Sequence, residues 1–144
     1  MYADLTYCIA LRPTTFFVPS EEVDTGAVHR LAASIERASA WNTLIPIERD
    51  TGIVMDGNHR VRAAALLGLH HLPCVLLDYA DPRVSVTHWR TGAPFCVDSI
   101  REHILVQRRV FPYKTTRHRF SPGLPTTDIP LIALGAVQEY RSCG

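Results

Sequence analysis

Two short polar clusters in the chain carry residue types suited to holding anions. The first, Asp56-Gly57-Asn58-His59-Arg60, stands between an apolar β-like run, Ile53-Val54-Met55, and a run of good helix formers from Val61 to Leu67 that Gly68 closes. A strand that delivers the chain into a helix N-terminus leaves backbone N–H groups unpartnered and gathers the positive end of the helix dipole at one point. His59 and Arg60 add donors there, so phosphate is a natural guest. The competing reading is a surface turn in which Asp56 caps the helix and Arg60 is solvated. The second cluster, Pro112-Tyr113-Lys114-Thr115-Thr116-Arg117-His118-Arg119, sets four basic or potentially basic side chains beside two hydroxyls. Such donors suit phosphate or carboxylate oxygens, and a solvated basic loop is the alternative. If the clusters fold against each other, one cleft holds two anion sites, as a phosphate donor and an acidic or phosphorylated partner would require.

The rest of the composition constrains the partners. At 144 residues and 47% hydrophobic content, the chain suits one compact domain spanning 1–144. Its formal net charge of +1 makes no general demand for nucleic acid or an anionic membrane, so any basic site must be local. The longest apolar runs, Ala63 to Leu69 and Pro73 to Leu77, are too short to span a membrane. The N-terminus lacks the basic-then-apolar order of a signal sequence, and a cytoplasmic protein is expected. Cys8, Cys74, Cys96 and Cys143 lack the spacing of a zinc site and read as reduced thiols, with Cys74 in the core.

Periodicity supplies the elements that must position the clusters. A first strand is expected around Tyr7 to Leu11. A helix should follow an N-cap at Asp24 or Thr25, with Val28, Leu31, Ile35 and Ala38 on one face, ending at Trp41 to Asn42. Leu44 to Arg49 and the run from Ile53 read as a β-hairpin turning at Asp50-Thr51-Gly52. Pro73 to Tyr79 reads as a buried strand beside the Ile53 strand. Val84 to Trp89 alternates, with Val84, Val86 and His88 on one face. Ser99 to Glu102 has the form of a capping box, opening a helix with Val97, Ile100 and Ile104 that runs toward Arg108. Residues 121–130, rich in proline, read as a loop before an apolar segment from Leu131 to Tyr140.

Asp56-Gly57-Asn58-His59-Arg60, with Leu67-Gly68 and Asp78-Tyr79, resembles the fold shared by ParB N-terminal domains and sulfiredoxin. Within that superfamily the chain is most similar to the free serine kinases. Those proteins show an acidic pair before the first helix, here Glu21-Glu22, and an Asp-Gly-His-His-Arg type of turn. They also show an alternating strand ending in tryptophan, here Trp89, and a late Pro-x-Lys-Thr-Thr-Arg-His segment, here Pro112 to His118. The resemblance runs from about Pro19 to His118, and its strength lies in the order and spacing of the pieces.

That resemblance implies an α+β fold, a small mixed sheet with helices packed around it. The core would span about 19–120, with a C-terminal tail over 121–144. It also implies transfer of the terminal phosphoryl group of ADP or ATP to the hydroxyl of free L-serine, giving O-phosphoserine. In this reading Glu21 is the base, with Glu22 as the fallback, and the turn of Asp56, Gly57, Asn58, His59 and Arg60 holds the nucleotide phosphates. Trp89 walls the amino-acid pocket, while Lys114, Thr115, Thr116, Arg117 and His118 hold the serine carboxylate or the product phosphate. Asn58 departs from the histidine usual at that position, though an amide can still donate. Phosphoryl transfer needs charge stabilisation and alignment more than covalent help. A Mg²⁺ ion bound by nucleotide oxygens is therefore expected, with Asp56 as its catalytic-site ligand or, alternatively, as a helix cap.

The partners implied are a nucleotide and a small amino-acid substrate, with no membrane and no nucleic acid. A ParB-like regulator that binds nucleotide and associates with DNA without small-molecule chemistry is the main alternative; the chain shows no helix-turn-helix after the turn and no basic stripe. A sulfiredoxin-like reductase fits less well, since Asn58 stands where that chemistry would place a cysteine.

Overall fold

The computed structural model describes residues 6–135. Strand β4 (His71–Leu77) is the centre of a three-stranded sheet. Strand β1 (Cys8–Pro13) runs antiparallel along one side of it, with Cys8 opposite Leu76 and Pro13 opposite His71. Strand β3 (Ile45–Glu48) runs parallel along the other, with Ile45 opposite Cys74. Because side chains alternate across a strand, Leu72, Cys74 and Leu76 join one apolar cluster while Val75 and Leu77 join a second. That explains why β4 reads as an unbroken apolar run. The first cluster takes in Val28, Ala32 and Ile35 of helix α1 (Thr25–Ala38) and Ala63 and Ala64 of helix α2 (Asn58–Leu66). The second takes in Ile53, Met55, Tyr79, Val86, Ile100 and Ile104.

Several expectations hold. Asp24 caps α1 by accepting from the N–H groups of Gly26 and Ala27, at 3.0 and 3.5 Å. Cys74 is fully buried, and burial pushes its thiol up to about 11. The expected hairpin is present as single bridges: Val54 opposes Ile47, and Ile53 bridges to Val18 on its far side. This places β3 between the Ile53 run and β4, not the Ile53 run beside β4 as the apolar pattern suggested. Strand β3 is buried at every position and can therefore pair on both edges.

Other expectations are corrected. Helix α1 ends at Ala38, where Ser39 turns left-handed, so that Trp41 enters strand β2 (Ala40–Thr43) and is fully buried. Residues 121–130 are not all loop, because strand β7 (Thr126–Pro130) pairs antiparallel with β2. Pro130 ends this two-stranded ladder and Pro125 precedes it, positions where a missing N–H costs little. The first strand is integral to the sheet, so the ordered fold extends on both sides of 19–120. Of the last apolar segment, Leu131–Leu134 forms a short 3-10 turn and 136–140 lie outside the described residues.

Strand β5 (Val84–His88) stops one residue before Trp89 and pairs antiparallel with strand β6 (Thr116–Phe120). This hairpin-like pair carries the second polar cluster. Helix α3 covers only Val97–Arg101 and passes into a π-helical turn at Glu102–Val106. Its N-cap is Cys96, and Ser99 lies inside the helix donating to the Cys96 carbonyl at 2.7 Å, so no capping box forms. Both Ile100 and Ile104 are buried in the second cluster.

Candidate active site

Residues distant in sequence meet in one cleft of about 560 Å³. Its walls include Glu21, Glu22, Asp56 to Arg60, Trp89, Lys114 and Thr116 to His118. The two polar clusters therefore do face each other. Among the named candidates only Thr115 is absent from the walls; its hydroxyl donates to the Pro112 carbonyl at 2.6 Å and closes the loop locally.

The turn owes its shape to Gly57, which is the N-cap of α2 at φ +97°. That left-handed conformation suits glycine, and a Cβ there would come within 2.9 Å of Ile45 Cδ1. Asp56 is therefore not the helix cap. Its carboxyl is raised above the usual range because neighbouring protein strips it of water, against the lowering pull of the Gly57 N–H and the Arg60 charge. No side chain caps α2, so its first N–H groups and the positive end of its dipole open at the cleft wall. Arg60 makes no hydrogen bond or ion pair to any described residue, which leaves its guanidinium free for a ligand.

Asn58 does something the sequence did not suggest. Its side-chain oxygen accepts from the N–H groups of Ser20 and Glu21 at 2.8 and 3.4 Å, and its amide donates to Ser20 Oγ at 3.1 Å. Ser20 in turn donates to the Val54 carbonyl at 2.6 Å. The side-chain amide thus ties the acidic pair to the phosphate-type turn, which commits its oxygen and one of its two amide hydrogens. His59 is also engaged: Nε2 accepts from the Asp24 N–H at 3.1 Å.

Glu21 is the hub of the other wall. One carboxylate oxygen accepts from the Lys114 N–H at 3.1 Å, and the other accepts from the Thr116 N–H at 3.0 Å and the Thr116 hydroxyl at 2.8 Å. Backbone pairing of Ser20 and Glu22 with Phe111 brings the segments together just before this point, at 2.9 and 2.8 Å. Glu22 lines the cleft with its side chain exposed.

Trp89 stands at 40% exposure between two cations, with Lys114 Nζ 5.4 Å and Arg117 Cζ 4.9 Å from its ring. Lys114 also lies 5.4 Å from the Tyr113 ring. The indole holds two flexible cations near one spot, as cation–π attraction does. His118 differs from its basic neighbours. Burial pushes it down to about 4, so it is an uncharged imidazole near neutral pH, and its Nε2 shares a hydrogen bond of 3.0 Å with the Tyr79 hydroxyl. Behind it, Arg101 lies 5.6 Å over the Tyr79 ring and donates twice to one oxygen of the buried Glu48, at 2.6 and 2.9 Å. The other Glu48 oxygen accepts from the Thr51 hydroxyl at 2.6 Å.

Sequence reading missed Ser20, Tyr113, Glu48 and Arg101. Glu48 sits in an apolar strand, Ile45-Pro46-Ile47-Glu48, and a charge in such a buried run was the available signal. A further hollow of about 260 Å³ shares Asp56, Gly57 and Arg60 with the cleft and continues between Leu44, Pro46, Leu124 and Pro125, with Asn42, Thr43 and Thr126 as its polar groups. Among the described residues no group of three or more His, Cys, Asp or Glu is placed to hold a metal by itself. No helix of the described residues is long and apolar enough to cross a membrane.

No protein-family model matches the chain. A ParB-like protein of Sulfolobus acidocaldarius is 33% identical over 93 residues, which make up 62% of this chain and 44% of that protein. The chain thus spans less than half of that relative's length. Among solved structures, a free serine kinase in complex with AMP superposes with a TM-score of 0.76 at 13% identity, covering 88% of this chain and 93% of that one. A mutant of a free serine kinase in complex with ADP gives 0.76 at 13% identity over the same shares. SbnI with a C-terminal truncation, from Staphylococcus aureus, gives 0.70 at 13% identity and covers 93% of this chain and 94% of that one. The chain has the ParB/sulfiredoxin-like fold, an α+β arrangement of small mixed sheets and surrounding helices.

Proposed function

We propose that this protein is a kinase acting on a free hydroxy amino acid, transferring the terminal phosphoryl group of ADP or ATP to the hydroxyl of L-serine or a close relative. The observation that carries the reading is that a carboxylate, a helix N-terminus with a free arginine, and a cation-flanked tryptophan share one cleft. The free serine kinases of the same fold, solved with AMP and ADP, support the choice of donor.

In this reading the nucleoside occupies the hollow between Leu44, Pro46, Leu124 and Pro125, and its phosphates cross the α2 N-terminus to reach Arg60. Lys114 and Arg117 attract the acceptor's carboxylate. The acceptor oxygen bonds to the terminal phosphorus as the bond to the bridging oxygen breaks, releasing AMP or ADP. Glu21 takes the hydroxyl proton. A carboxylate offers about four acceptor positions, and the three hydrogen bonds that Glu21 accepts leave one. These same bonds hold it still, as positioning for transfer demands. Asp56, a single carboxylate beside the phosphate turn, fits the sparse protein ligation typical of Mg²⁺, with nucleotide oxygens and water completing the sphere. Such an ion, when bound, would neutralise charge on the transferred group.

The curated relative favours a second reading, a ParB-like nucleotide-binding regulator without small-molecule chemistry. Incubating the protein with Mg²⁺, ADP or ATP, and a panel of free hydroxy amino acids, while following ³¹P spectra, separates the two. A new phosphomonoester signal with matching AMP or ADP supports the kinase. Nucleotide binding with no transfer to any acceptor would leave the regulator.

A further inference from the structure

A second concavity, of about 340 Å³, shares no residue with the cleft yet is built from the same three stretches of chain a few residues away. Val18 and Pro19 precede the acidic pair. Arg62 follows Arg60 on α2, and Arg108, Arg109 and Val110 precede the second polar cluster. Ile104 and Leu105 of the π-helical turn complete the floor.

Three guanidinium groups thus converge on an apolar floor. Arg62, Arg108 and Arg109 are all exposed, none makes a side-chain hydrogen bond or ion pair to a described residue, and no carboxylate lines the hollow. With no carboxylate to offset them, their summed charge favours an anion in the hollow. The wall that carries two of them is held in place. Arg108 adopts a left-handed φ of +58°, unusual for a residue with a Cβ, and the Arg109 N–H donates to the His103 carbonyl at 3.0 Å. His103 in turn stacks on Phe111 at 4.1 Å.

We infer that this concavity is a second anion site that binds a small organic anion bearing one apolar group, its phosphate or carboxylate held by the three arginines. The floor of Val18, Pro19, Ile104, Leu105 and Val110 argues for an apolar body and against inorganic phosphate alone. Arginine pairs both carboxylate and phosphate through parallel donors, so either head group meets the same chemistry. A nucleic-acid backbone would ask for a longer stripe of cations, whereas the arginines here border the exposed Val106 and Val110.

The test is a methyl-detected NMR titration of the full chain with phenyl phosphate, benzoate and inorganic phosphate as separate probes. Saturable shifts at Ile104, Leu105 and Val110 are expected with phenyl phosphate, benzoate or both, and those two arms tell which head group is preferred. In Arg62→Ser/Arg109→Ser the affinity should fall at least about tenfold, the scale of one lost charge-assisted contact, with the remaining methyl spectrum unchanged. Arg60→Ala, which alters only the cleft, should leave it intact. The inference is overturned if shifts centre on Leu31 and Met55 and vanish in Arg60→Ala, or if neither organic probe saturates. It is equally overturned if only a short DNA duplex binds in an Arg62- and Arg109-dependent way.

Discussion

Tyr79 and His118 share a hydrogen bond of 3.0 Å between the phenol oxygen and Nε2 at the cleft wall. Burial drives the imidazole down to about 4 from an ordinary 6.5. Between those values the unfolded chain takes a proton that the folded chain refuses. The contribution of His118 to stability is therefore complete above about 6.5 and is lost as the pH falls toward 4, a change of roughly 3 kcal/mol. Denaturant unfolding of the wild type and His118→Gln across that window checks it: the difference between them should shrink on acidification. A constant difference would mean a solvated ring.

Glu21→Gln keeps the side chain's length but loses the basic oxygen. Turnover should drop by about 10²- to 10⁴-fold with nucleotide affinity nearly intact, while Glu22→Gln, whose side chain is exposed, stays close to wild type. Equal activity of wild type and Glu21→Gln in the transfer assay would remove Glu21 from the chemistry.

Arg60→Ala should weaken nucleotide binding by about 1.5–3 kcal/mol, the usual worth of a hydrogen bond to a charged group. Calorimetric titration with ADP measures this directly, and an unchanged affinity in the folded variant would place the phosphates elsewhere.

With Arg117→Ala, the half-saturating concentration of the amino acid should rise far more than that of the nucleotide, because the guanidinium stands over Trp89, the proposed wall of the acceptor pocket. Steady-state kinetics with each substrate varied in turn decides it. Equal effects on both would point to general electrostatics.

Removing Arg101 leaves Glu48, at 3% exposure, with an unpaired buried charge. We expect Arg101→Met to cost about 2 kcal/mol, less than for a fully buried pair because the arginine side chain is 42% exposed. Adding Glu48→Gln should recover most of the loss in a denaturant melt. No recovery would mean that the cost came from lost packing on Tyr79.

What could be read before folding was local. The glycine turn into α2, the Asp24 cap and the unbroken apolar run of β4 each follow from neighbouring residues. The partners of the turn do not. Asn58 and Ser20 lie 38 residues apart and Glu48 and Arg101 lie 53 apart, with nothing in either stretch to announce the other. Strand β7 was hidden because the prolines in and around it mimic a loop, and the π-helical turn because the spacing of Ile100 and Ile104 is also that of an ordinary α-helix. His118 looked like one more cation, since burial and the Tyr79 hydroxyl are properties of the fold.

The separation of 95 residues between Glu21 and Thr116 also sets an order of assembly. A ribosome releases chain from the N-terminus onward, so α1, the glycine turn and α2 can form while the carboxylate of Glu21 still lacks its three donors. Closing so long a loop is slow to begin and, once made, among the first contacts exposed to partial opening. Amide exchange at Lys114 and Thr116 would therefore time the completion of the cleft, independently of when the central sheet becomes protected.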